Sequence, residues 1–439
     1  MNDPKQLARV RSFRRELYDA LGLRQDSLFE LMDAVLTAPE RRTLVRLSLC
    51  PCFRRRWSST CDALADGTVD VARLRALFQA YVPRSAPGER PLWVVDGTHW
   101  PRPAAGTSPA RTWEYRPLPG KPQQGVVPAW AYHWLVQVPE PEGSWVLPLD
   151  VQPRGPTAET PTQVAIDQIA RTRASQTSET PRPVVALDSA HEVGQLAQAH
   201  LEADVVVRLA KNRVFRRTPQ PYSGRGRPHK HGPVFKLQDT STHGPADRSA
   251  SLEHPVYGTV TVEAWTRLHV QDAPAAPFTV VRVQVEHLLH HGQPMPLWLA
   301  WIGGDLPEDL HQLWRWYLRR FTVEHAFRFA KQSLSWTTVR LRQPLTADRW
   351  TWLVAAVFWQ LWLARPVVAE QRLPWERPRP AERLTPGRIQ RAFGGLLATL
   401  GTPARVPQPR GKSPGRRPGQ RPPLAPRFPV ARRPRSTAA

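Results

Sequence analysis

A mixed α/β fold is predicted from three features of this 439-residue sequence. A helical N-terminal stretch gives way near Leu92 to short β-branched runs. Two of those runs end on an aspartate, Asp96 and Asp188. A turn-rich β segment then separates them from a helical stretch free of Gly and Pro. Strands alternating with helices put a mixed sheet at the centre and acids at the carboxyl ends of its strands.

Residues 1–82 read as helical, because Val10 to Leu23, Leu28 to Leu36 and Val71 to Tyr81 repeat apolar residues at helical spacing. Between them lies a Pro-broken basic turn, Cys50-Pro51-Cys52-Phe53-Arg54-Arg55-Arg56-Trp57. With Cys61 these are the three cysteines of the chain, too few for a disulfide scaffold. No His precedes His99, so a zinc site there lacks a fourth ligand. The turn is either solvated or grips a DNA backbone, which makes 1–82 a candidate DNA-binding region.

From Leu92 the period changes. Leu92 to Asp96 is an apolar run closed by an acid, as in a buried strand. Val127 to Val138 and Ser144 to Val151 read as two more strands, Thr160 to Arg173 as a helix, and Pro183 to Asp188 as a fourth strand. A helix over Ala190 to Leu201 and a strand over Asp204 to Leu209 complete the series. Residues 90–209 and 297–365 are therefore expected to form the core, with 210–296 as a β-rich insertion. Leu310 to Leu334 reads as one long helix, and Trp352 to Ala364 as a buried one. The latter is too short to cross a bilayer, and no signal peptide follows Met1, so a soluble, cytoplasmic protein without a membrane partner is expected.

Charge narrows the function. Lys and Arg total 61 against 37 Asp and Glu, a net charge of +24. That balance argues against an ordinary metabolic enzyme and for a polyanionic partner, nucleic acid first. Residues 366–439 are expected to be a Pro/Arg-rich basic tail. Its part from 401 holds ten Lys or Arg, ten prolines and no acid, so it reads as disordered.

The candidate chemistry rests on three acids. A carboxylate ending an apolar strand is costly unless it is paired or holds a metal, which singles out Asp96 and Asp188. On the long helix, Tyr317, Arg320, Glu324 and Lys331 are spaced by three, four and seven residues. At about 100° per residue, all four fall within roughly 60° of one another. An exposed i, i+4 Arg–Glu pair is the plain alternative. If the strands are neighbours and the helix crosses them, Asp96, Asp188 and Glu324 converge, and hard carboxylate oxygens suit Mg²⁺ or Mn²⁺. Two such ions can activate water and steady the leaving oxygen in phosphodiester cleavage.

The spacing Tyr317-x2-Arg320-x3-Glu324-x6-Lys331 resembles the Y-R-E-K signature of a large group of bacterial insertion-sequence transposases. Those are DDE enzymes with a ribonuclease-H-like core. Their first Asp closes the first strand before a small residue and Thr, as in Asp96-Gly97-Thr98, and their second follows the fourth strand, as Asp188 does. The resemblance spans roughly residues 90–365. It implies two-metal DNA cleavage at element ends, transfer of the 3′-hydroxyl to target DNA, a homodimer on double-stranded DNA, and a nucleoid-associated location. It also implies that Asp96, Asp188 and Glu324 are metal ligands, with Tyr317, Arg320 and Lys331 on DNA. The chain departs from that pattern after Asp188, where His191 and Glu192 read as helix-start residues. A stand-alone nuclease with the same core, or an inactive DNA-binding derivative, are the competing readings.

Within the insertion, Arg225-Gly226-Arg227-Pro228 resembles the R-G-R-P core of AT-hook peptides. Arg225 and Arg227 are therefore candidate DNA contacts in a narrow minor groove.

Overall fold

A computed structural model describes residues 4–38, 43–86, 88–103, 105–117, 124–156, 159–177, 179–222, 224, 227–288 and 294–408, with scattered positions from 411 to 429. The N-terminal helices are α1 (Pro4–Asp19), α2 (Gln25–Thr37), α3 (Leu44–Leu47), α4 (Ser58–Asp66) and α5 (Val71–Ala80). Asp70 caps α5 by accepting from the Arg73 amide at 2.9 Å. Arg14 and Asp33, both almost fully buried, pair at 2.7 Å, and Arg14 also donates to Gln360 at 2.6 Å.

The core sheet follows as β1 (Leu92–Pro101), β2 (Thr112–Pro117), β3 (Gln124–Val138), β4 (Leu147–Arg154), helix α6 (Pro161–Ala174), β5 (Val184–Leu187), helix α7 (Val193–Gln198) and β6 (Asp204–Arg208). Strand β1 runs antiparallel to β3 and parallel to β5, β5 is parallel to β6, and β4 lies on the far edge of β3. This order, β4-β3-β1-β5-β6, is consistent with a ribonuclease-H-like fold. Strand β2 was not expected; it pairs with the first half of β3, beyond the end of β4.

The insertion contributes β7 (Val214–Arg217), β8 (Val234–Lys236), β9 (Arg248–His254), β10 (Gly258–His269) and β11 (Phe278–Val285). It is not a separate layer. Strand β12 (Leu297–Ile302) pairs with β6 on one side and β11 on the other, so among the described residues one mixed sheet of twelve strands runs through both parts.

Two expectations fail after β12. The single helix over 310–334 is two helices, α8 (His311–Arg319) and α9 (Thr322–Gln332). At the junction the amides of Arg320, Phe321, Val323 and Glu324 each bond the carbonyl three residues back, at 3.0–3.1 Å. This tighter 3₁₀ winding breaks the ladder without any Gly or Pro to announce it. Helix α10 (Pro344–Ala364) starts with Pro in its first turn, and from Trp350 to Leu361 it is buried on every side. Second, 366–439 is not a tail throughout, because α11 (Pro386–Leu400) buries Ile389 and Phe393 against α2 and α10. Docking continues beyond it. Gly401, Ala404 and Arg405 carbonyls accept from Arg14, Arg54 and Arg55, and the Arg405 amide donates to Asp26. Arg54 and Arg55 thereby serve packing, together with Glu30, rather than standing open to a DNA backbone. Among the described residues, no helix is long and apolar enough to cross a membrane.

Candidate active site on β1, β5 and α9

Strand register sets the geometry. Val94 of β1 pairs with Ala186 of β5. Asp96 and Asp188 each lie two residues further on, so both stand at one level and on one face of neighbouring parallel strands. Backbone pairing alone thus brings these two acids together.

The two differ in how they are held. Asp96 is 9% exposed. Burial pushes its carboxyl up to about 6 against the pull of Arg320, and the negative charge of Asp188 adds to the rise. Asp188 caps its own turn, accepting from the Ala190 amide at 3.1 Å and facing His191 Nδ1 at 2.9 Å. Burial would raise Asp188 too, but the His191 bond and charge, the Ala190 amide and Arg320 outweigh it and hold this carboxyl below its ordinary range.

Other buried acids of the fold have arginine partners. Asp150 lies between Arg75 and Arg171, and Asp204 between Arg90 and Arg182. Asp188 is not among these buried acids, its side chain being 34% exposed, and its ion-pair partner is an imidazole.

His191, read from sequence as a helix-start residue, is 4% exposed and belongs to the site. Its ring stands edge-on to His133 of β3, centroids 6.4 Å apart. His133 packs over Gly97, where a Cβ would come within 3.4 Å of the imidazole. Burial, His191 and Arg154 push His133 down to about 3, so it is neutral. The sequence signal for His191 was the Asp-x-x-His spacing of a capped turn; His133 left none, since only strand pairing brings it beside Gly97.

Glu324 arrives from α9, in front of β1. Arg320, at the helix junction, bridges the acids: Nη1 is 2.6 Å from Asp96 Oδ2 and Nη2 is 3.2 Å from Glu324 Oε1. Two of the residues expected on DNA therefore face inward. The Arg320 side chain is 12% exposed and turned to the carboxylates, and Tyr317 is buried beneath it, ring centroid 5.7 Å from the guanidinium carbon. Asp96, Tyr317 and Asp188 together outweigh burial and hold the guanidinium more firmly protonated than usual. Lys331 donates from Nζ to Thr98 Oγ1 at 2.6 Å, which anchors α9 to β1 two residues beyond Asp96.

Glu324 and Lys331 also line a cleft of about 760 Å³ with Thr98, His99, Phe327 and Arg328. His99, next to Thr98 on β1, borders this cleft. In the insertion, Arg227 is exposed, whereas Arg225 lies outside the described residues.

These side chains as placed do not fit the expected metal pair. Among the described residues, no three His, Cys, Asp or Glu side chains converge on a point that could hold an ion. A guanidinium stands between Asp96 and Glu324 instead.

A ribonuclease-H-like sheet with two strand-end aspartates is the frame of a nuclease that acts on phosphodiesters. A family model described as DDE superfamily endonuclease matches residues 16–273, more than half of the chain, and the chain belongs to that family. The match includes Asp96 and Asp188 and ends before α8 and α9, so Glu324 is placed by geometry alone. No curated protein matches the sequence.

Proposed function

We propose that this chain is a DDE transposase of the Y-R-E-K type. In this reading it cleaves double-stranded DNA at the ends of a mobile element and joins the freed 3′-hydroxyl to target DNA. The observation that carries it is the level placement of Asp96 and Asp188 on neighbouring parallel strands, with the Arg320–Glu324 helix junction across their front. Asp96, Asp188 and Glu324 are the reactive acids, and His191 orients Asp188. Lys331, with Arg328 beside it in the cleft, holds phosphates flanking the scissile bond. Arg227 adds a contact from the insertion.

The net charge of +24 supports a duplex partner, since backbone neutralisation supplies most of the affinity for DNA. Joining requires two ends to be held together, which favours a homodimer on DNA. The divalent ions of such chemistry, Mg²⁺ or Mn²⁺, suit hard carboxylate donors.

The test is a cleavage and joining assay on DNA built from the sequences that flank the gene on either side. Asp96→Asn, Asp188→Asn and Glu324→Gln should each abolish both steps while leaving DNA binding intact. Retained cleavage in any one of them removes that acid from the site. Cleavage without joined product would assign the chain to stand-alone nucleases instead.

A further inference from the structure

We propose that Arg320 is a built-in counter-cation of the acidic site, and that a divalent ion binds there only by displacing its guanidinium. This rests on the reading of Asp96, Asp188 and Glu324 as the reactive acids. Nothing in the family match touches Arg320, which lies beyond residue 273.

The geometry sets two cations in competition for the same oxygens. Arg320 Nη1 stands 2.6 Å from Asp96 Oδ2, and Nη2 stands 3.2 Å from Glu324 Oε1. A hard divalent ion takes carboxylate oxygens at roughly 2.0–2.6 Å, so an ion on these same oxygens would stand against the positive charge of a guanidinium already in contact. Without any cation, neighbouring carboxylates repel one another, and the arginine fork relieves that repulsion. The side chain is confined by burial and by the Tyr317 ring beneath it.

Its attachment point can give way. Arg320 is the residue at which α8 ends and the 3₁₀ turn begins, a local weakness of the helix ladder. Swinging out toward the cleft that Lys331 and Arg328 line, the guanidinium would exchange its single contacts to two carboxylates for a bidentate one to a phosphate of DNA. The inward-facing arginine and the DNA contact expected from the sequence are then two positions of one side chain. Metal loading and phosphate binding favour the same position.

The test uses the full chain without DNA and with Mn²⁺ as probe, the free ion being followed by electron paramagnetic resonance. Arg320→Gln should bind Mn²⁺ at least about fivefold more tightly than the parent, the low end of ordinary coupling between sites. It should also melt earlier in EDTA and gain more on Mn²⁺ addition. Arg320→Lys keeps a charge but not the fork and should fall between; if the Gln variant does not fold, this comparison decides alone. Asp96→Asn should lose the binding. Unchanged or weaker Mn²⁺ binding in the Arg320 variants, with Asp96→Asn still losing it, overturns the counter-cation while the acids stand. Binding that is absent from the parent, or indifferent to Asp96→Asn, overturns both.

Discussion

His191 Nδ1 lies 2.9 Å from Asp188 Oδ1, three residues apart on the turn that closes β5. The contact fixes which way the carboxylate points, and it does so from a side chain with almost no solvent access. A shared turn makes the pair rigid: Asp188 also takes the Ala190 amide, and the Glu192 amide is anchored on Thr162 of α6.

Replacing His191 with Asn should therefore leave the fold in place and free Asp188 to rotate. Partners that orient reactive carboxylates typically cost about 10- to 100-fold in activity when lost. We expect a fall of that size in cleavage rate with little change in DNA affinity. Parent-level cleavage in His191→Asn would show that the pair is structural only.

A second titrating acid lies away from this site. Tyr132 of β3 donates to Asp348 of α10 at 2.8 Å, and burial lifts Asp348 from 3.8 to about 6. Because the folded value is raised, its stabilising effect is fully present below pH 4 and is lost as pH climbs through 6. Asp348→Asn keeps an acceptor for Tyr132 without the charge. It should gain on the parent by on the order of 2 kcal/mol between pH 4 and 7, after allowing for partial exposure. Denaturant midpoints across that range test this; a constant difference would count against it.

Legibility in the sequence tracked the range of the forces involved. Strand β12 matches the apolar run Leu297 to Ile302, and β5 the run ending at Asp188, because period and burial are local signals. The pairing of Asp96 with Asp188 needed only the two runs to be neighbours. Positions decided by distant partners were not readable. The 3₁₀ turn at Arg320 carries no breaker residue. Tyr317 reads as one of four aligned polar side chains, yet it is buried. Helix α11 hides in a segment whose Pro and Arg content reads as a basic tail, because its buried face, with Ile389 and Phe393, meets α2 and α10. Strand β2 has no apolar run of its own and exists through its pairing with β3.

The ion pair between Arg14 and Asp33 joins α1 to α2 and, through Gln360, to α10. Burial already raises Asp33, and Arg14 is the chief influence holding it down. Arg14→Ala should cost about 3–5 kcal/mol, since it leaves a buried carboxylate uncompensated. The double variant Arg14→Met, Asp33→Leu should recover most of that loss, because neither charge then has to be desolvated. Chemical denaturation of the two variants separates these outcomes; equal losses in both would mean that shape, not charge, sets the cost.

Truncation distinguishes the docked part of the C-terminal segment from the rest. Removing everything after Leu400 strips Arg14, Arg54 and Arg55 of carbonyl acceptors on Gly401, Ala404 and Arg405, and takes the Arg405 amide from Asp26. A bond to a charged donor is worth about 1.5–3 kcal/mol, so the loss should show as a clearly lower melting temperature. Ending the chain after Gln408 keeps all of these contacts and removes nine Lys or Arg residues. That shorter cut should leave melting unchanged while lowering affinity for arbitrary duplex DNA and flattening its dependence on salt, since fewer counterions are released on binding. Melting curves and salt titrations of both truncations decide the matter. If the two melt alike, the contacts at 401–405 do not hold the fold; if the longer chain keeps the parent's salt slope, the basic segment beyond 408 does not meet DNA.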